Sequence, residues 1–111
     1  MIEEVLFRHL KKAVGVPVAL EKPEPEPEKY VLFEKTAGGK GNKLNVATIA
    51  IQSYAKSLYE AAALNEAVKV AMERAIMLPE IGGVHLNSDY NYTDPETKRY
   101  RYQAVFNIKH Y

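Results

Sequence analysis

Ser57-Leu-Tyr-Glu-Ala-Ala-Ala-Leu-Asn-Glu-Ala-Val-Lys-Val-Ala-Met-Glu-Arg-Ala-Ile-Met-Leu-Pro79 is the stretch whose reading decides the fold. Ser57 and Glu60 stand at capping-box spacing and Pro79 cannot continue a helix, so a long helix is expected from about residue 57 to residue 78. Leu58, Ala61, Ala62, Val68, Met72, Ala75 and Ile76 form its expected buried stripe. Asn65 falls inside that stripe and allows a break into two shorter helices there. The many alanines suit close packing of this helix on a sheet.

Outward from the helix the pattern changes to strands. Before it, residues 30–36 and 46–54 alternate apolar and polar or smaller side chains around Val31, Phe33, Ile49 and Ile51. The connector, Ala37-Gly-Gly-Lys-Gly-Asn-Lys-Leu-Asn45, reads as a hairpin loop longer than the minimal two-residue turn. After the helix, Gly82-Gly83 opens a strand over residues 84–92. Val84, Leu86, Ser88, Tyr90 and Tyr92 are expected on one face, with His85, Asn87, Asp89 and Asn91 on the other. Thr93-Asp-Pro-Glu96 is read as a type I turn. The return strand, residues 99–110, sets Tyr100, Tyr102, Ala104, Phe106 and Ile108 against Arg101, Gln103, Val105, Asn107 and Lys109.

At the N-terminal side, Ile2, Val5, Leu6, His9, Leu10 and Ala13 recur at helical spacing, with Glu3 and Glu4 early and Lys11 and Lys12 late. That charge order complements the helix dipole, and Gly15 supplies a left-handed stop. Residues 16–20 read as a short strand whose Pro17 marks a sheet edge or a strand start. Lys22-Pro-Glu-Pro-Glu-Pro-Glu28 forbids helix and lacks ladder donors, so it is expected as an extended, solvated strap serving as a spacer. The predicted order is α-β-β-β-α-β-β: one α+β domain over residues 1–111, with an antiparallel or mixed sheet of about five strands and two helices packed on one face.

The bulk properties narrow the function classes. The chain has 111 residues, a formal net charge of +1 and no cysteine. Near-neutrality gives no global field for nucleic acid or anionic membrane. Without cysteine there is no disulfide framework, thiolate zinc site or thiol nucleophile. The N-terminal segment is charged throughout and lacks the apolar core of a secretion signal, and no apolar run is long enough to span a bilayer, so a soluble cytosolic product is expected.

Catalytic chemistry finds little purchase in these residues. The loop Gly38-Gly39-Lys40-Gly41-Asn42-Lys43 is no phosphate loop, because Leu44 follows Lys43 and a strand follows the loop. It is the candidate interface loop, as a hairpin tip carrying two lysines. His85, Asp89 and His110 offer metal-ligand types, but His85 and Asp89 are about 13 Å apart along an extended strand, too far for a shared first shell. His9 is expected to pack, not to act as a base. Ser53, Ser57 and Ser88 lack a nucleophile elbow. Lys98, Arg99 and Arg101 form a candidate basic patch interleaved with Tyr100 and Tyr102, and strand geometry sends the arginines and those tyrosines to opposite faces. No catalytic residue, metal site or cofactor is assigned, and the chain is read as not an enzyme.

Two segments together carry a resemblance. Asn45-Val-Ala-Thr-Ile-Ala-Ile-Gln-Ser-Tyr-Ala-Lys-Ser-Leu-Tyr-Glu-Ala-Ala62 is a strand running into the long helix. Leu86-Asn-Ser-Asp-Tyr-Asn-Tyr-Thr-Asp94 pairs with the returning Arg99-Tyr-Arg-Tyr-Gln-Ala-Val-Phe106. With the N-terminal helix and the overall size, they resemble tail-terminator, or tail-to-head joining, proteins of siphophages and prophages of Gram-positive bacteria. The resemblance implies a homo-oligomeric ring, typically hexameric, that ends the tail tube and meets the head connector or stopper. Its implied partners are further copies of itself, the major tail tube protein and the connector. DNA would only pass through the ring, and no membrane is involved. The implied location is the host cytoplasm during assembly and then the tail or neck of the virion. Alternative readings are another neck or head-completion adaptor of the same module, or a small nucleic-acid-binding accessory protein using the basic patch.

Overall fold

The structure is a computed structural model that describes residues 1–41, 44–97 and 99–111. Helix α1 (Ile2–Val14) leads to strand β1 (Val18–Ala19), then β2 (Tyr30–Gly41) and β3 (Leu44–Ala55). Helix α2 (Leu58–Arg74) ends in a 3-10 turn, η1 (Ala75–Met77), followed by β4 (Ile81–Asn91) and β5 (Tyr100–His110). The strands form one sheet in the order β1-β2-β3-β5-β4, with β1 parallel to β2 and every other pair antiparallel. The expected α+β class, element order and mixed five-stranded sheet are therefore observed.

The caps act as the residue types dictate. Gly15 closes α1 in the left-handed conformation at φ 67°, where a side chain would be strained. Ser57 Oγ accepts from the Glu60 backbone N–H at 3.1 Å and satisfies one orphan donor at the start of α2. Asn65 does not break α2, which is continuous through it. Leu58 and Ile76, expected in the buried stripe, are exposed, and Leu64 and Ala71 take their place. Leu58 is the first residue of the helix, ahead of the turns that rest on the sheet. Ile76 falls in η1, whose tighter winding rotates it away from the core.

Both helices cover one sheet face. Ile2, Leu6 and Leu10 of α1 and Leu64, Val68, Ala71 and Met72 of α2 share a core with Val31, Phe33, Ala47, Ile49, Ile51, Ala104, Phe106 and Ile108. Phe7 meets Phe33 edge-on at 6.5 Å between centroids. His9 is packed as expected, its Nε2 2.7 Å from the Ala71 carbonyl, which ties α1 to α2.

Two strand readings need correction. The segment 38–41, expected as loop, continues β2: Gly38, Gly39, Lys40 and Gly41 pair with Ala47, Val46, Asn45 and Leu44. Asn42 and Lys43 lie outside the described residues. The faces of β4 were expected to alternate unbroken, but a bulge at Asn87 shifts its register between Leu86 and Ser88. Val84 and Leu86 keep the helix face, opposite Ile108 and Phe106, whereas beyond the bulge Asp89 takes that face and Tyr90 crosses to the other. Asp89 is thus not a solvent-facing partner of His85. Its Oδ1 accepts from Asn65 Nδ2 and Lys69 Nζ, each at 3.3 Å, and pins β4 to α2.

Asn65 is 1% exposed, so losing its acceptor leaves a buried amide unsatisfied. Asp89→Ala is expected to cost about 1–3 kcal/mol. Urea unfolding followed by circular dichroism measures it, and a change confined to a few tenths would show that the contact is incidental.

Candidate interface surfaces

The face of the sheet away from the helices carries the alternate residues of β3, β5 and β4, and their polar groups bond to one another. Gln52 Nε2 donates to Gln103 Oε1 at 2.9 Å, Tyr54 Oη donates to Gln52 Oε1 at 3.0 Å, and Gln103 Nε2 donates to Tyr90 Oη. Thr48 Oγ1 donates to Asn107 Oδ1 at 3.2 Å. The Tyr54–Gln52–Gln103–Tyr90 chain of bonds is continuous across three strands, and Thr48–Asn107 is a separate pair.

One end of this face is roofed by the proline-glutamate strap, because β1 and β2 are parallel neighbours and their connection must cross over the sheet. The strap is not simply solvated, as expected, but is held by Arg99. That guanidinium forms an ion pair with Glu26 through Nε at 3.1 Å. Nη2 donates to the carbonyls of Pro27 at 2.6 Å and Glu28 at 3.1 Å, and Nη1 to that of Ala55 at 3.3 Å. Beneath it Tyr30 and Tyr54 stack at 4.5 Å with an interplanar angle of 4°, and Arg99 lies 5.8 and 5.7 Å from their centroids. Arg101 continues the array. It lies 4.4 Å from the Tyr92 ring, donates from Nη1 to Tyr54 Oη at 2.8 Å and from Nε to the Tyr92 carbonyl at 2.6 Å.

Of the candidate basic patch, Arg99 and Arg101 are therefore engaged in internal bonds on the face opposite Tyr100 and Tyr102, and Lys98 lies outside the described residues. A depression of about 290 Å³ beside them is lined by Lys22, Glu26, Tyr54, Asp94, Thr97, Arg99 and Arg101, so cations and carboxylates alternate around it. Asp94 is held below the usual carboxylate range, first by the Glu96 backbone N–H.

The candidate loop residues sit at the far end of the β2–β3 hairpin. Gly38, Gly39 and Lys40 are exposed there, some distance along the sheet from the Arg99 cluster. Sequence reasoning missed the Arg99 cluster and the exposed Ile76, Met77 and Leu86 beside β4. The unusual Pro-Glu run was the one available signal for the former, since so many carboxylates invite a buried cation partner.

Chemistry is sparse. Among the described residues no three His, Cys, Asp or Glu side chains gather to hold a metal. The bulge at Asn87 places His85 opposite Asn107 on the open face and Asp89 opposite Ala104 on the helix face. Ser53 is fully buried and out of reach of a substrate. Among the described residues no helix is long and apolar enough to cross a membrane.

No protein-family model matches the chain, and no curated protein matches it. A chain from a solved structure of the virion of a native gene transfer agent particle has a similar fold, with a TM-score of 0.75 and 18% sequence identity. The similarity covers 98% of this chain and 93% of that one, so it runs over nearly the full length of both.

The Tyr30 phenol is pushed well above its usual value, mainly by burial and then by its hydrogen bond to Glu26 at 2.6 Å. The neutral form is favoured in the folded chain, so below about pH 10 this group adds no pH dependence. Above it the unfolded chain ionises first and stability falls. Thermal melts from pH 8 to 11 should show a decline that Tyr30→Phe flattens; an identical decline in both chains would refute the assignment. Arg99→Lys keeps the charge but loses the forked contacts, and should cost about 1–3 kcal/mol while speeding proteolysis within residues 22–28.

Proposed function

We propose that the chain is a structural virion subunit, and specifically one that forms a ring ending the tail tube and joining it to the head connector. The observation that carries this reading is the end-to-end fold likeness to a chain of a gene transfer agent virion. The segments 45–62, 86–94 and 99–106, which resemble tail-terminator proteins, lie in β3, α2, β4 and β5, the central part of that shared fold. The continuous side-chain hydrogen bonds across the open face suit a structural role.

On this reading residues 1–111 act as one domain, and the partners are neighbouring copies, the major tail tube protein and the connector or stopper. Nucleic acid passes through the ring without a dedicated site, in keeping with the internal engagement of Arg99 and Arg101. A closed ring uses two different surfaces of each subunit. The end of the β2–β3 hairpin, where Gly38, Gly39 and Lys40 are exposed and Gly41 follows, is assigned to such a contact.

Depletion of the protein from a phage or prophage assembly system is the direct test. Electron microscopy is expected to show tails of uncontrolled length and heads without tails. Tails of normal length that join heads would refute the terminator role. Lys40→Glu should impair joining while leaving the melting temperature within about 2 °C, as expected for a surface change worth less than about 0.5 kcal/mol.

A further inference from the structure

The sheet has two edges, and neither is sealed along its length. β1 covers β2 only at Val31 and Leu32, so residues 34–40 of β2 have an open outer side, and all of them are exposed. On the opposite side β4 is the terminal strand. Unpaired N–H and C=O groups along such edges are a template for another strand. β2 carries one irregularity, at Thr36, and β4 carries two, at Gly82 and Asn87; Thr36 and Asn87 lie at nearly the same level. Beyond these bulges, residues 37–41 and 83–86 run regularly at the same end of the sheet.

The two free segments differ in a complementary way. Gly38 and Gly39 sit inside a strand, where glycine weakens the structure unless something requires it. Neither has a left-handed φ. A Cβ at Gly39 would meet nothing within 4 Å, and one at Gly38 would press only on the flexible end of Lys35, at 3.1 Å. The chain's own packing therefore does not call for either glycine, whereas close approach by another backbone would. The β4 side is the opposite: η1 packs at the head of the strand, and Ile76, Met77 and Leu86 are 47%, 83% and 39% exposed. These exposed apolar groups belong to β4 and to the turn packed on it, and a strand without side chains fits beside them with least obstruction.

Charge agrees with shape. Lys40 is level with Ile81 through the pairs Lys40–Asn45, Asn45–His110 and His110–Ile81, and the exposed Glu80 immediately precedes Ile81.

We propose that residues 37–41 of one copy add as a strand to residues 83–86 of β4 in the next copy. The glycines then lie under Ile76, Met77 and Leu86, and Lys40 faces Glu80. Because the edges differ and lie on opposite sides, the contact is head-to-tail and propagates around a ring. This assignment rests on the ring-subunit reading and supplies its contact.

The absence of native cysteine makes the test clean. Gly39→Cys is combined with Gly83→Cys, and separately with His85→Cys to sample register. Each pair is oxidised mildly across a concentration series and again in assembled particles. Double variants are expected to give a disulfide ladder extending past the dimer, whereas single variants stop at the dimer. Failure of every double variant to pass the dimer, in solution and in particles, overturns the pairing. Adding Gly38→Val should leave the melting temperature unchanged or raised and cut the ladder at least tenfold; an undiminished ladder also overturns it. A ladder together with normal tails on depletion supports the pairing while defeating the terminator reading. Uncontrolled tails on depletion with no ladder do the reverse.

Discussion

The pairing of β3 with β5 is the constraint on which the other elements depend. It runs without a break from Asn45–His110 to Ala55–Tyr100 and joins two hairpins that are otherwise separate in the chain. Its register sets Ala47, Ile49 and Ile51 beside Ile108, Phe106 and Ala104, making the apolar floor under α2. A slip of one residue would turn Phe106 and Ile108 to the open face and destroy that floor. The same pairing fixes the length of α2. The chain leaves β3 at Ala55 and must enter β4 at Ile81, at the far end of the sheet. The 17 residues of α2, at about 1.5 Å each, cover about 25 Å of that return, and η1 completes it.

The opposite face is organised by one arginine. The crossover from β1 to β2 could have been loose, since its prolines and glutamates neither form a ladder nor bury apolar surface. Arg99 instead draws Glu26 and two strap carbonyls to the end of β3 and roofs the Tyr30–Tyr54 stack. Partial burial strengthens each of these contacts relative to water, although the ion pair also bears a desolvation cost. The result is a domain with helices on one face and a bonded polar ladder, partly roofed, on the other.

What could be read in the sequence follows the range of the interactions. Helix limits were legible because Ser57, Gly15 and Pro79 act on backbone groups within a turn of themselves. The alternation of β5 was legible because the strand is regular along its length. That of β4 was not, since the bulge at Asn87 inverts the faces beyond it and Leu86-Asn-Ser88 carries no compositional mark of it. Residues 38–41 looked like loop because glycine disfavours strand; pairing with Leu44 through Ala47 overrides that preference. The Arg99 contacts reach across 72 residues to Pro27, beyond any local pattern. The open outer edge of this candidate segment was hidden with the strand order.

The distribution of satisfied and unsatisfied groups bears on the energetics of the proposed contact between copies. Several polar side chains on the open face, among them Gln52, Gln103, Thr48 and Asn107, are bonded to one another. Backbone groups at the two free edges are hydrated and stay available. A contact over residues 37–41 and 83–86 replaces protein–water hydrogen bonds with protein–protein ones, a net gain of about 1 kcal/mol per bond, and apolar burial around Ile76, Met77 and Leu86 adds to it. Against the several kcal/mol of lost translational and rotational freedom, one such contact is marginal. A ring changes the balance, since each added subunit brings a further contact and closure is intramolecular. Under the proposed ring, weak edges on a stable fold would make assembly depend on a surface that gathers the copies.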